Sequence, residues 1–359
     1  MRVAERRIAR LVIARGQVSK AEIESSLDYS HPTVVNAVGT LVAEGVLCES
    51  GEFNSTGGRK AKAIAPNPSF RYFGGVDITR NHVILVLLDW AGNVVASERR
   101  RRPFSAKPRD LRSIGVSFCK FAASKGVEVA SVGVSLPGIL SHDRRRLVRS
   151  HALELSDLDL SPLAAGFGGL SIAFENDANA ASEAEIAGLA GDTVYLSLSN
   201  TVGGAFCRAG DLYLGDNRRA GEFGHMVLHP GGRRCYCGKL GCVDPYLSAL
   251  CLADRANGLE DFFARLESGD RSLAKVWREY VSDLAIAVTN LRMAYDCDVM
   301  LGGYVGAFAE PHRAEIERAM AEVDMFEDDF SFLRIARHGF ESSAIGAAVR
   351  LRDEAVELL

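Results

Sequence analysis

The sequence lacks any uninterrupted run of about 18 or more apolar residues, which excludes a transmembrane helix of ordinary length. The segment 1–13 has arginines among its apolar residues and no small-residue cleavage site, so we expect no signal peptide. We therefore predict a cytoplasmic protein whose eight cysteines are reduced. The net charge is only −4, so the chain as a whole has no general attraction for nucleic acid.

The charge that is present is unevenly distributed. Residues 1–71 carry a net charge of about +3, while the remainder is acidic. A chain of 359 residues also suits two or three domains better than one. We therefore expect a small basic N-terminal domain followed by a larger acidic one.

The first 65 residues predict three short helices and a hairpin. Apolar residues at helical spacing indicate a first helix around 8–14. A second helix is expected over 19–27, because Ser19 can serve as N-cap with Glu22 in the capping-box position. Ser30 can cap a third helix. This order is typical of a helix-turn-helix, in which the second helix of the pair enters the major groove of DNA.

The predicted recognition helix carries polar residues suited to DNA. We expect His31, Thr33, Asn36 and Ala37 on its exposed side. An asparagine such as Asn36 can pair with adenine through two hydrogen bonds, and Thr33 can reach a phosphate or a thymine methyl group.

A basic hairpin tip follows at Gly57-Gly58-Arg59-Lys60. It predicts a wing that lays Arg59 in a minor groove and Lys60 on a phosphate. The predicted partner is therefore operator DNA. The alternative is that the three helices and the hairpin merely pack against the rest of the chain.

The pattern changes after Pro66-Asn67-Pro68, a stiff connector that we expect to separate the domains. Three β-rich runs joined by turns are followed by alternating helix and strand, which predicts an α/β domain with a mixed sheet. Two arginine runs, Arg99–Arg102 and Arg144–Arg146, indicate either extra DNA contact or solvated surface.

A dense cysteine cluster predicts a metal site. The spacing H-x9-C-x-C-x4-C offers one imidazole and three thiolates, the tetrahedral set that structural Zn²⁺ prefers. The alternative is a group of buried free cysteines beside an unrelated histidine. The predicted zinc ligands are His225, Cys235, Cys237 and Cys242, with His229 and Cys251 as spare candidates.

Three motifs together resemble the ROK family, which groups sugar-responsive repressors with bacterial sugar kinases. They are Glu175-Asn176-Asp177-Ala178-Asn179-Ala180, Ala220-Gly221-Glu222-Phe223-Gly224-His225 and the cysteine cluster. The resemblance implies an actin-like, ribonuclease H-like α/β fold of two lobes that close over a sugar. The expected divisions are a winged helix-turn-helix at 1–65, a linker at 66–71, one lobe at 72–185 plus 343–359, and a second lobe with zinc at 186–342.

The same resemblance implies which residues surround the sugar. Asp177 would be the kinase base, although an ordinary helix cap is the alternative reading of Asn176-Asp177. The family usually has Glu where Asp244 stands. The implied sugar-binding residues are Gly138, Asn176, Asp177, Glu222, His225 and Asp244.

The nucleotide side departs from the family's kinases. Those enzymes follow the first-strand Asp with a Gly-Gly-Thr phosphate loop, whereas Asp77 is followed by Ile78-Thr79-Arg80-Asn81. Bulky residues at this turn would keep phosphate from the backbone. A second loop, Asn200–Ala205, preserves the family's glycines only in part. We therefore expect Asp177 to be a vestigial base and the chain not to be an enzyme.

The resulting hypothesis is a sugar-responsive repressor of carbohydrate metabolism that binds an operator as a dimer or tetramer. One alternative is an active ATP-dependent sugar kinase with an appended DNA-binding domain. The other is a regulator that is controlled by a protein partner instead of a small molecule.

Overall fold

The N-terminal domain contains the expected helices and hairpin. The computed structural model describes residues 2–52, 62–186, 189, 191–327 and 329–359. Three antiparallel strands form a small sheet in the order β1-β3-β2. The elements are α1 (Val3–Arg15), β1 (Val18–Ser19), α2 (Lys20–Leu27), α3 (His31–Ala43), β2 (Leu47–Glu52) and β3 (Lys62–Pro66).

Local capping explains where the second helix begins and ends. The Ser19 hydroxyl accepts a hydrogen bond from the Glu22 amide at 3.2 Å, and the Glu22 carboxylate accepts one from the Ser19 amide at 2.6 Å. This confirms the predicted capping box. Asp28 adopts a left-handed conformation with φ 54° and ends the helix. Ser30 is the N-cap residue of α3, but its hydroxyl bonds to that of Thr33 at 2.8 Å.

The connector between the domains is tied to both sides. The Asn67 side chain donates to the Gly45 carbonyl of the N-terminal domain at 2.8 Å. On the other side, the Phe70 ring meets the Trp90 ring edge-on, with 5.0 Å between centroids. Pro66 belongs to β3 instead of to the connector. The connector is therefore packed against both domains.

One buried hydrophobic cluster spans the two domains. It includes Ile8 and Leu41 of the N-terminal domain together with Trp90 and Val356 of the large domain. Because apolar burial is the main favourable term in folding, this shared core holds the N-terminal domain against the large one. A rigid connection of this kind can pass a displacement from one domain to the other.

The first lobe is built on a five-stranded mixed sheet in the order β11-β7-β4-β5-β6. Strands β4, β5 and β6 form the predicted antiparallel run, and β7 and β11 lie parallel to β4. The elements are β4 (Tyr72–Ile78), β5 (His82–Asp89), β6 (Val94–Arg101), α4 (Pro108–Ser124), β7 (Val129–Leu136), β8 (Ile139–Leu140), β9 (Arg146–Ser150), β10 (Leu155–Asp159), α5 (Ser161–Ala164), β11 (Ser171–Asn176) and α6 (Asp177–Ile186). Strands β8 to β10 form a separate antiparallel sheet at the lobe's edge.

The second lobe has its own five-stranded sheet, in the order β14-β13-β12-β15-β16. The elements are β12 (Thr193–Leu198), β13 (Val202–Arg208), β14 (Asp211–Tyr213), α7 (Asp244–Leu247), α8 (Leu250–Ala253), α9 (Leu259–Glu267), α10 (Arg271–Tyr295), β15 (Asp298–Gly302), α11 (Gly303–Gly306), α12 (Arg313–Ala321) and β16 (Leu333–Ile335). None of the helices in the described residues combines the length with the hydrophobicity that a bilayer crossing requires.

The last helix, α13 (Ser342–Glu357), returns to the first lobe. It lies directly on the backbone of its neighbours. A Cβ atom at Gly75 of β4 would stand 1.9 Å from the Ala344 carbonyl oxygen, and one at Gly346 would stand 1.6 Å from that of Ala180 in α6. Only glycine permits these approaches. The first-lobe sheet, α6 and α13 therefore form one tightly packed unit.

Candidate ligand cleft and metal centre

A cavity of about 570 Å³ opens between the two lobes. The first lobe contributes the ends of β7 and β11 and the start of α6, and the second contributes the β12–β13 turn and the loop before His225. Polar residues from both sides meet there, as is usual where a cleft binds a small molecule. The predicted sugar contacts among its lining residues are Gly138, Asn176, Asp177, Glu222 and His225.

Asn176 has two tasks at the edge of this cavity. Its side-chain oxygen accepts hydrogen bonds from the amides of Ala178 at 2.9 Å and Asn179 at 3.1 Å, so it caps α6. Its side-chain nitrogen donates to the Gly138 carbonyl at 3.0 Å. The helix-cap reading of Asn176 is therefore correct, and the same bonds fix the residue at the cavity wall.

Asp177 begins α6 and faces the cavity. Burial raises the pKa of Asp177 to about 6, while hydrogen bonds from backbone amides and Asn176 act in the opposite direction. A carboxyl group with this pKa can take or release a proton near neutral pH. The Ser343 hydroxyl of α13 donates to the Asp177 carbonyl at 3.1 Å, which links the cavity floor to the last helix.

His225 presents its two ring nitrogens to different neighbours. The Nδ1 atom lies 3.7 Å from the Cys235 sulfur, and Nε2 lies 3.9 Å from the Glu222 carboxylate at the cavity. Burial lowers the pKa of His225, which favours the neutral ring that metal binding requires. One residue therefore borders both the ligand cavity and the cysteine cluster.

The four predicted metal ligands come together. One ligand atom from each of His225, Cys235, Cys237 and Cys242 lies within 4.8 Å of the others. The Cys237 and Cys242 sulfurs are 3.8 Å apart. Tetrahedral Zn–S bonds of about 2.3 Å place two sulfurs about 3.8 Å apart, so the donor set and spacing fit zinc.

The two spare candidates lie elsewhere. His229 pairs with Asp283 of α10 at 2.6 Å through Nε2. The Cys251 thiol donates to the Pro245 carbonyl at 3.3 Å. The cluster therefore consists of the four residues with the predicted spacing.

Asp244 lies behind the cavity wall. Its carboxylate accepts a hydrogen bond from the Val202 amide at 2.7 Å and lies close to the Tyr236 hydroxyl, and the residue is only 5% exposed. Burial raises the pKa of Asp244 to about 6. Val202 and Tyr236 both line the cavity. In this conformation Asp244 reaches the cavity through the two groups that it positions.

The turn that replaces a phosphate loop is a closed hairpin. The Thr79 amide donates to the His82 carbonyl at 2.9 Å, and the Thr79 hydroxyl accepts from the His82 amide at 3.0 Å. Ile78 is fully buried in the core of the first lobe. Asp77 is buried against Ser135, whose hydroxyl donates to its carboxylate at 2.5 Å. The amides of Thr79 and His82 are thus already used within the hairpin.

Several cavity residues were missed from the sequence. Arg149, His151, Arg218, Arg219 and Tyr236 also line the cavity. Arg218 and Arg219 directly precede the Ala220–His225 motif and Tyr236 stands between Cys235 and Cys237, but only the fold shows that these side chains line the cavity.

The two arginine runs have internal partners. Arg144 is a partly buried partner of Glu175 at 3.0 Å, and Arg146 pairs with Asp157 at 2.8 Å. Arg100 pairs with Glu98 at 2.7 Å. The interpretation of these runs as solvated surface is therefore wrong for Arg144, because its guanidinium neutralises a buried carboxylate.

Of the four residues expected on the exposed side of the recognition helix, two are exposed, one is half-buried and one is buried. Asn36 is exposed, and Thr33 is half-buried. His31 is exposed and lies 2.7 Å from Glu24 of α2. The placement of Ala37 on the exposed side was wrong: it is only 5% exposed, because it faces the core with Val34 and Val38. The wing residues Arg59 and Lys60 lie outside the described residues.

The two lobes, the cleft between them and the four-residue cysteine–histidine cluster define a protein of the sugar-kinase fold class that carries a winged helix-turn-helix domain. Residues 73–354 match the ROK family. The chain belongs to the ROK family, which confirms the resemblance and the α/β fold that it implied.

Individual relatives fall on both sides of this family. A putative xylose repressor of Caldicellulosiruptor sp. (strain Rt8B.4) is 24% identical over 84% of this chain and 82% of its own length. An N-acetylmannosamine kinase of Escherichia fergusonii is 33% identical, over 50% of this chain and 64% of the kinase. The structure of a ROK family transcriptional regulator, a homologue of the E. coli MLC protein, covers 98% of this chain and 96% of its own with a TM-score of 0.75 at 17% identity.

Proposed function

We propose that this chain is a DNA-binding repressor whose affinity for its operator is set by a sugar bound between the two lobes. The observation that carries the proposal is the shared hydrophobic core between the N-terminal domain and the first lobe. The similarity to xylose repressors and to a ROK transcriptional regulator, each over most of the chain, supports it. Operator DNA and a sugar are thus the proposed partners.

Helix α13 is the proposed route between the two sites. Near its start, Ser343 bonds to the Asp177 backbone at the cavity. In its middle, Arg350 pairs with Glu175 at 2.5 Å. At its end, Glu357 pairs with Arg10 of α1. A sugar that moves the cavity wall would displace one rigid helix that also contacts the DNA-binding domain.

Zinc is the proposed occupant of the cysteine–histidine cluster. The four protein ligands would complete the tetrahedron and leave no position for a reacting water, so the ion would be structural. It would hold the loop from His225 to Cys242, and with it the His225 ring beside the cavity. The residues Asn176, Asp177, Glu222 and His225 would bind the sugar hydroxyl groups, with Asp244 in a positioning role.

Loss of kinase activity is part of the proposal. Phosphoryl transfer depends on groups that hold the nucleotide phosphates, and the hairpin from Thr79 to His82 already uses the amides of these two residues internally. Asp177 would then be a ligand-binding residue. We further propose a homodimer or tetramer, because two recognition helices on a palindromic operator give the usual geometry of this class.

Active sugar kinase is the second candidate, since the pKa of Asp177 near 6 suits a general base. An assay of ADP release over a panel of hexoses and N-acetylated hexoses separates the two. Clear turnover that is lost in Asp177→Asn would favour the kinase.

Operator binding with and without sugar tests the leading proposal. A preferred duplex is selected from random DNA, and its Kd is measured by fluorescence anisotropy at a stated salt concentration. We expect an effective sugar to change the Kd by about fivefold or more. Asp177→Asn should lose this response, whereas the matched variant Asp143→Asn, at an exposed turn, should keep it. A protein without sequence preference for DNA would contradict the proposal.

A further inference from the structure

The cleft contains basic side chains in addition to the polar residues that are proposed to bind the sugar hydroxyl groups. Three arginines line the cavity: Arg149 from β9 of the first lobe, and Arg218 and Arg219 from the loop before Glu222 in the second. Each guanidinium offers several donors in a planar fork. Such forks match the paired oxygens of a carboxylate or a phosphate.

The carboxylate deepest in this region is already neutralised by the protein. The side chain of Glu175 is only 5% exposed. It lies 3.0 Å from Arg144, 2.5 Å from Arg350 and 3.9 Å from Arg218. Arg350 is shared with Glu183 and Glu354, but within the described residues Arg144 and Arg218 contact no other carboxylate. Glu175 therefore has no capacity left to balance the remaining cavity arginines.

Arg149 and Arg219 lie outside this cluster, and the charge of Arg219 partly offsets the burial that raises the pKa of Glu222. Both are exposed at the cavity, and neither forms an ion pair in the part of the chain that the structure describes. Arg149 is held beside the predicted sugar edge, because its backbone pairs with Ile139 and its carbonyl packs against Gly138. Arg219 is three residues from Glu222. Each arginine thus extends from a backbone position next to a residue proposed to contact the sugar.

We propose that the ligand of this cleft is an anionic sugar, with a phosphate or a carboxylate as its charged group, and that Arg149 and Arg219 select it. The inference rests on the proposed sugar-binding function and deepens it. The hydroxyl groups would bind to Asn176 and Asp177, and the charged substituent would bind to the guanidinium groups. A neutral sugar would offer these donors only uncharged hydroxyl acceptors, which form weaker hydrogen bonds.

Matched pairs of ligands test the selection on the purified full-length chain. Calorimetry would compare glucose with glucose 6-phosphate and glucuronate, and N-acetylmannosamine with its 6-phosphate, with inorganic phosphate alone as a further probe. We expect at least one anionic member to bind about tenfold or more tightly than its neutral partner, as hydrogen bonds to charged groups allow. Added salt should reduce this ratio. The phosphate and carboxylate arms identify which anion is recognised.

Substitution separates selection from general binding. In the double variant Arg149→Gln/Arg219→Gln, the ratio of neutral to anionic Kd should fall close to one. The control Arg278→Gln removes an exposed arginine of α10, away from the cavity, and should retain the ratio. Melting temperatures without ligand show whether each variant is folded.

The possible outcomes distinguish this inference from the function on which it rests. Binding of neutral sugars with equal or greater affinity would overturn the anionic selection and leave the repressor proposal intact. A full ratio in the double variant would overturn the role of the two arginines. If neither the neutral nor the anionic sugars bind, the sugar-binding function and this inference are overturned together.

Discussion

Arg10 of the first helix and Glu357 of the last helix form a direct bridge between the DNA-binding domain and the large domain. The Arg10 guanidinium donates to the Glu357 carbonyl at 2.5 Å and lies 2.7 Å from its carboxylate. Both side chains are more than a third exposed, so the pair contributes little to stability, about 0–1 kcal/mol. Its importance lies in position, because it joins α13 to α1.

Replacing Arg10 should therefore weaken the response to sugar more than it weakens folding. For Arg10→Ala we expect the sugar-induced change in operator Kd to shrink at least about twofold, with a loss of stability below about 1 kcal/mol. Anisotropy with and without sugar measures the first quantity, and urea unfolding the second. Arg6→Ala removes the same charge from the exposed side of α1 and should keep the response. An unchanged response in Arg10→Ala would exclude this bridge from the coupling route.

Removal of a cysteine ligand should release the metal. We expect the purified protein to contain one zinc per chain, and Cys237→Ser to contain none and to melt at a lower temperature, since a structural zinc contributes to folding. Elemental analysis and thermal unfolding measure both effects. Cys251→Ser is the matched control, because this thiol bonds to Pro245 instead of to the cluster. Zinc loss in Cys251→Ser would contradict the assignment of the four ligands, because it would show that Cys251 takes part in metal binding.

The buried carboxyl group of Asp77 should make stability fall as the pH rises. Burial raises the pKa of Asp77 from its usual 3.8 to about 7. The folded state therefore holds a proton that the unfolded state has lost between about pH 4 and pH 7, and stability declines over that range by at most about 1.4 kcal/mol per pH unit from this group. Above the folded pKa the penalty is constant.

Asp77→Asn should remove this slope, since an amide oxygen can still accept the Ser135 hydrogen bond. We expect the variant to gain stability relative to the parent as the pH rises from 4 to 8, measured by urea unfolding at each pH. Asp143→Asn is the comparison, because the pKa of Asp143 is shifted in the opposite direction to that of Asp77. The Ser141 hydroxyl lowers the pKa of the exposed Asp143 carboxyl group, so removing this carboxyl group cannot stabilise the protein at high pH. Parallel profiles for Asp77→Asn and the parent would contradict the argument.

Operator recognition should depend on the exposed asparagine of α3 and on the basic hairpin. We expect Asn36→Ala to cost about 1–3 kcal/mol of binding and to relax the base preference at one position. Arg59→Ala and Lys60→Ala should weaken binding, with a smaller salt dependence for Lys60→Ala. Thr40→Ala, one turn further along α3, is a suitable control for Asn36. Unchanged operator affinity in both Asn36→Ala and Arg59→Ala would refute the DNA assignment.

Local patterns carried much of the prediction. Ser19 and Glu22 form a capping box because this signal needs only residues three apart, and the ligand spacing from His225 to Cys242 lies within a single loop. The two motifs around Asp177 and Glu222 meet at the cavity, as the resemblance implied.

Long-range placement was the part that sequence reasoning missed. Arg149 and Arg219 lie on different lobes, and no periodic pattern relates them. Arg144 looked like part of a solvated run, but its positive-φ turn directs it to Glu175, a residue of β11. Asp244 turns toward the Val202 amide because that buried donor needs an acceptor. Such choices depend on tertiary neighbours that a single sequence does not reveal.

The apolar cluster that runs from Ile8 to Trp90 and Val356 has a practical consequence for dissecting the molecule. Cutting the chain at Asn67 would expose hydrophobic surface on both fragments, and each fragment would tend to aggregate. The N-terminal domain and the large domain are therefore expected to unfold in a single thermal transition. Replacing the N-terminal domain with that of a relative would require the contacting surface of the large domain to be replaced as well.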